Sequence, residues 1–284
     1  MVIISKATSA KALCEFLENL ELKGAVFVVK PNWNYANAFT SAEKLDWLFS
    51  FLKGSIKIIE GYSPWRNELN TQLKLQEVIS PTNAKMKWQW IKEQDKWFLE
   101  YSGIDKILSK HRVEYINVTE EFWSMKTLDP DELRDIVDNK YGVLVNQEMY
   151  DFLPSNIYAL RGSTMISFNS SYNLEDHVPL STSNLFTLIP DPIRHIKWRG
   201  RNLSRFSQSI VDINKIYRGV FSPSYWINEI MGKDIFVGSK NSVEADAVTA
   251  KLMGYDAEKI NYLLHAAKVF GDYDHKILHK IPNP

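Results

Sequence analysis

The chain has 284 residues, 45% of them hydrophobic, with Lys plus Arg and Asp plus Glu both at 34. That length builds one large domain or two small ones sharing an interface, and a zero net charge leaves no global field to steer the chain toward nucleic acid or an anionic membrane. The single cysteine, Cys14, excludes an intramolecular disulfide framework and any all-cysteine zinc or iron–sulfur site.

The start, Met-Val-Ile-Ile-Ser-Lys, has neither the basic opening nor the long apolar run of a secretory leader. No apolar stretch approaches the ~20 residues of a membrane span. A soluble, cytoplasmic protein is the expectation. Residues 9–21 read as a helix with Ser9 as cap and Cys14 among Leu13, Phe16, Leu17 and Leu20, where it serves as a small buried hydrophobe. Residues 25–29 form an apolar strand that runs into Lys30, Pro31 and Asn32. Thr40-Ser41-Ala42-Glu43 has the capping-box pattern and opens a helix carrying Leu45, Leu48, Phe49 and Leu52. A second strand, 56–60, ends on Glu60 before a turn-rich loop that holds Arg66.

Helical spacing predicts one helix over 83–110 and a strand over 113–118. Asp129-Pro130-Asp131-Glu132 sets a cap, a first-turn proline and two acids in helix-start order. A strand over 164–168 opens a long polar stretch to about residue 202. A loop of that length marks function or flexibility, and it is the one candidate boundary between lobes of a single domain. Helix 203–217, strand 234–238, helix 242–253 and helix 257–269 complete the order. Helix and strand alternate, so the expected fold class is α/β, a largely parallel sheet flanked by helices.

In open α/β sheets ligands bind beyond the carboxyl ends of the strands. Lys30, Asn32, Glu60 and Arg66 all stand just past such ends. A cation, an amide and an acid converging there can hold a carboxylate or phosphate and handle a proton; a solvated loop with a local Lys30–Glu60 pair fits the same residues. Arg194, Lys197, Arg199, Arg201 and Arg205 form a basic run with His195, Trp198 and no acid. It reads as an anion site, as a single-stranded nucleic-acid contact by charge and stacking, or as a solvated loop. His275 and His279 share one helix face without a third ligand, and His177 beside Glu175 and Asp176 has no known ligand spacing. No metal is therefore expected. No Walker, dinucleotide-glycine or nucleophile-elbow motif is present.

Five segments together carry a family resemblance: Val28-Val29-Lys30-Pro31-Asn32, Glu60-Gly61, Ser183-Asn184-Leu185-Phe186-Thr187-Leu188-Ile189-Pro190, Ile210-Val211-Asp212, and Asp246-Ala-Val-Thr-Ala-Lys-Leu-Met-Gly254. On these the chain resembles the domain-of-unknown-function-362 family from about residue 20 to 272. It departs from the family's pattern at Ser183, where the family has lysine, and at Thr187, where it has glycine. The single cysteine leaves no iron–sulfur extension of the kind some members carry. The family is similar in fold to lactate-racemase-like proteins, two α/β lobes around a cleft, an analogy that transfers no activity.

The family pattern at the strand ends, taken with the basic run, gives the leading expectation: a cleft in which Lys30, Asn32, Arg66, Asn184 and Arg194 bind a small anionic metabolite, with Glu60, Asp212 or Asp246 as general acid or base. The alternatives are a non-catalytic binding or interaction protein with a degenerate family site and, from the basic run, a nucleic-acid binder. Cofactor and oligomeric state do not follow from these residues.

Overall fold

The computed structural model describes residues 1–67, 69, 88–124, 126–173, 178–190, 194 and 203–281. Seven strands form one sheet: β1 (Val2–Lys6), β2 (Val26–Pro31), β3 (Ser55–Glu60), β4 (Glu114–Asn117), β5 (Thr164–Ser171), β6 (Ser224–Ile230) and β7 (Ile235–Ser239), in the order β1-β7-β6-β5-β2-β3-β4. The five strands from β4 to β6 run parallel, and only β7 and β1 are antiparallel to their neighbours. The expected α/β fold with a largely parallel sheet is what forms.

Side chains alternate along each strand between two cores. Phe27, Val29, Ile56, Ile58, Ile166 and Phe168 pack against helices Ala10–Asn19, Ala42–Phe51, Trp88–Ser102 and Ile104–His111. Val28, Ile59, Met165 and Trp226 face the other way, onto helices Pro130–Tyr141, Leu203–Val220, Ser242–Leu252 and Asn261–Phe270. The connections from β2 through β3 to β4 therefore run over one face. The chain then crosses to β5 on the other side of β2, and the connection to β6 runs over the opposite face. Right-handed crossovers force this change of face whenever the sheet is extended in the other direction. β2 and β5 are thus the pair at which the winding reverses, with Phe27 level with Thr164 and Pro31 level with Phe168.

Local signals hold where the chain carries them. Ser9 caps its helix by accepting from Ala12 N at 3.3 Å, and Asp129 caps a helix with proline in its first turn. The expected capping box from Thr40 to Glu43 does not form, and the helix starts one residue later. Ser41 is the cap, and the Thr40 hydroxyl instead accepts from Asn32 N and donates to Phe168 O, tying the ends of β2 and β5 together. The helix expected over 83–110 is two helices, broken at Gly103, whose φ of 71° is left-handed. Residues 81–87, including Met86, lie outside the described residues. Strands β1 and β6 are additions to the sequence reading. Cys14 is half-buried rather than enclosed, and burial with nearby Glu18 pushes its thiol pKa up.

Candidate functional site

Pro31, Asn32, Glu60 and Ser171 stand at the carboxyl ends of β2, β3 and β5. Fully buried Lys30 donates from Nζ to Glu60 Oε2 at 2.8 Å, Asn184 Oδ1 at 3.0 Å and Pro31 O at 2.6 Å, engaging all three ammonium hydrogens. Glu60 in turn accepts from Trp33 N at 3.1 Å, Gly61 N at 2.8 Å and the Thr187 hydroxyl at 2.6 Å. Burial lowers the Lys30 pKa from 10.5 to about 8; Glu60 opposes that shift, and the Arg194 and Arg66 guanidiniums add to it.

Above this pair lies a cavity of about 40 Å³ whose lining includes Asn32, Asn34, Asn169, Asn184, Thr187 and Arg194, with Phe186 and Phe206 as apolar wall. It opens at the point where the winding reverses. Asn32 Nδ2 donates to Asn169 Oδ1 at 3.0 Å and to Ser170 O at 3.2 Å, bridging β2 to β5. Asn169 Nδ2 continues to Asn228 Oδ1 at 3.0 Å on β6, and Asn228 Nδ2 donates to Asp246 Oδ1 at 2.8 Å. The amides form one directional chain across three strands. Arg194 is buried and donates to Thr187 O at 2.7 Å and to Tyr62 O at 3.0 Å, so it locks the loop after β3 to the short helical turns Ser181–Leu188.

Of the residues singled out from the sequence, Lys30, Asn32, Glu60, Asn184 and Arg194 converge here. Arg66 lies behind them. It is fully buried, ion-paired with Asp95, donates to Gly61 O at 3.1 Å, and lies over the Phe98 ring at 5.2 Å. Asp212 serves another purpose on the face of helix Leu203–Val220. Its carboxylate accepts from Val145 N at 3.2 Å and from Asn146 N and Nδ2 at 2.8 Å each, pinning the loop beyond helix Pro130–Tyr141. Asp246, also fully buried, accepts from Ser181 N, the Ser181 hydroxyl, Thr182 N and Asn228, and its pKa is raised by burial. It reaches the cavity only through the asparagine chain. Neither aspartate lines the cavity.

Sequence reasoning missed Asn34, Asn169, Thr187 and Asn228. The available signal was the polar run Asn169-Ser170-Ser171 at the end of an apolar strand, which is wholly buried here. Ser183 and Thr187 have local roles. The Ser183 hydroxyl accepts from Leu180 N and donates to Leu180 O, and Thr187 supplies a donor to Glu60.

His195, Lys197, Trp198, Arg199 and Arg201 of the basic run, and Glu175, Asp176 and His177, lie outside the described residues. Arg205, at the far end of the run, pairs with Glu148 at 3.6 Å. Among the described residues no three His, Cys, Asp or Glu side chains are placed to hold a metal ion, and no helix is long and apolar enough to cross a membrane. No family model matches the chain, and no curated protein or solved structure matches it either.

Proposed function

We propose that the chain binds a compact anion in the cavity at the carboxyl ends of β2 and β5, with Arg194 and the Asn34 amide facing its negative group. The observation that carries this reading is topological. The cavity sits where the winding of the sheet reverses, the place where open α/β sheets take their ligands. The resemblance to the domain-of-unknown-function-362 family points to the same strand end through Lys30-Pro31-Asn32. Size supports a small ligand: about 40 Å³ is far below the ~300–1,000 Å³ of sites for drug-sized molecules.

The reading is binding, with no acid–base step derived. Neither Glu60 nor Asp246 is among the residues lining the cavity, and each spends its carboxylate on four protein groups. Titration of the ¹⁵N-labelled chain with inorganic phosphate and small carboxylates tests it. Saturable shifts are expected at the side-chain amides of Asn32, Asn34, Asn169 and Asn184. Arg194→Gln, which removes the positive charge lining the cavity, is expected to weaken binding by about tenfold or more, while its circular dichroism reports whether the fold is kept. An absence of saturable shifts at these amides in the unmodified chain would sink the reading.

A further inference from the structure

The hydrogen-bond inventory of the cavity floor restricts the ligand further, and this step rests on the small-anion reading above. Three asparagines form the floor, and each has its amide orientation fixed by a main-chain carbonyl, which can only accept. Asn32 Nδ2 points to Ser170 O at 3.2 Å, Asn169 Nδ2 to Pro179 O at 3.0 Å, and Asn184 Nδ2 to Lys30 O at 3.0 Å. The remaining hydrogens are also engaged. Asn32 donates its second hydrogen to Asn169 Oδ1 and Asn184 its second to the Ser167 hydroxyl, while the two hydrogens of Asn169 are shared among Pro179 O, Asn228 Oδ1 and the Ser171 hydroxyl.

An amide has two hydrogens and a carbonyl with two lone pairs. On the oxygen side each floor residue accepts once: Asn32 from Asn34 N at 3.3 Å, Asn169 from Asn32, and Asn184 from Lys30 Nζ. The capacity left on all three is therefore acceptor capacity alone. All three are buried, Asn169 with 1% of its surface exposed, so a donor-free group set against one of these oxygens leaves its second lone pair without a partner.

A simple anion would place its own lone pairs against these oxygens. We propose that the ligand is a compact carboxylate carrying a hydrogen-bond donor, an ammonium or a hydroxyl, on the neighbouring carbon. Its carboxylate lies toward Arg194 and Asn34, and its donor meets the acceptor capacity left on the amide oxygens of Asn32, Asn169 and Asn184, one of them for a hydroxyl and up to three for an ammonium. The wall thus selects by polarity at both ends, which charge attraction alone does not.

The test compares acetate, glycolate and glycine on the unmodified chain, because removing Asn184 would also deprive Lys30 of a partner. The three share a carboxylate and differ at one position, which holds no donor, a hydroxyl or an ammonium. Dissociation constants come from calorimetry and from the Asn32, Asn169 and Asn184 side-chain amide resonances. At least one of glycolate and glycine is expected to bind about tenfold or more tightly than acetate, and the better of the two identifies the donor. Acetate binding as well as or better than both would overturn the donor inference and leave the small-anion reading standing. If none of the three, nor phosphate, moves these resonances, the small-anion reading fails and takes this inference with it.

Discussion

Lys30 and Glu60 form a fully buried ion pair in which Lys30 has two further hydrogen-bond partners and Glu60 three. Removing one partner strands the other charge in a medium that solvates it poorly. Lys30→Met and Glu60→Gln are each expected to cost about 3–5 kcal/mol of stability at neutral pH, read from urea unfolding midpoints. A loss under about 1 kcal/mol for either would mean that the pair is no better than a surface salt bridge.

The pair also fixes the sign of a pH effect. Burial holds Lys30 at about 8 in the folded chain against 10.5 for an ordinary lysine, so between those values the unfolded chain binds more protons than the folded one. Stability from this group then rises with pH from about 8 toward 10.5, having been reduced below 8 by the cost of burying the ammonium. The unmodified chain should gain stability relative to Lys30→Met over that window. A difference between the two that stays flat from pH 7 to 10 would show that the lysine keeps its proton in the folded state.

At the scale of elements, the loop after β3 is held by contact with the turn Leu185–Leu188. Gly61 is the residue that permits it: a Cβ there would lie 1.9 Å from Thr187 O and 3.4 Å from Arg194 Nη1. Gly61→Ala must push the turn away and stretch the Arg194–Thr187 bond. It should destabilise by about 1–3 kcal/mol, the usual cost of overpacking, and weaken the anion binding proposed for the cavity. An alanine variant with an unchanged melting temperature would show that the turn moves freely. The Glu60-Gly61 pair was visible in the sequence, and so were β2, β3, β5 and β7, because each is an apolar run that ends at a polar or turn residue.

β6 was not visible. Ser224–Ile230 carries Asn228 and Glu229 in its buried stretch, and their presence breaks the apolar pattern. Asn228 belongs there because it links Asn169 to Asp246. β1 is short and lies at the edge, with Ile4 and Lys6 exposed, so little burial marks it. The site was legible where one element supplied it, at Lys30, Asn32 and Glu60. Asn169 belongs with Asn32 only through the parallel pairing of strands 137 residues apart, which no local pattern encodes.

At the scale of the whole molecule, the sheet order ties the two halves of the chain to one another. β5 lies between β2 from the first half and β6 from the second, while β1 pairs only with β7. The polar stretch from 169 to 202, the candidate lobe boundary from sequence, therefore begins inside a central strand. A cut between Asn173 and Val178 leaves the first fragment with β1 unpaired and the β5 edge open. It leaves the second with only the antiparallel pair β6–β7, too few strands to stand alone. Helix Leu203–Val220 would also lose the sheet face made by Val28, Ile59 and Met165. Fragments 1–173 and 178–284 are accordingly expected to give collapsed amide spectra when expressed singly, and to recover dispersed spectra when mixed or co-expressed. A dispersed spectrum from either fragment alone would show that half the sheet folds autonomously. In that case the cavity between β2 and β5 would be a junction of two lobes, and ligand binding would depend on how firmly they close.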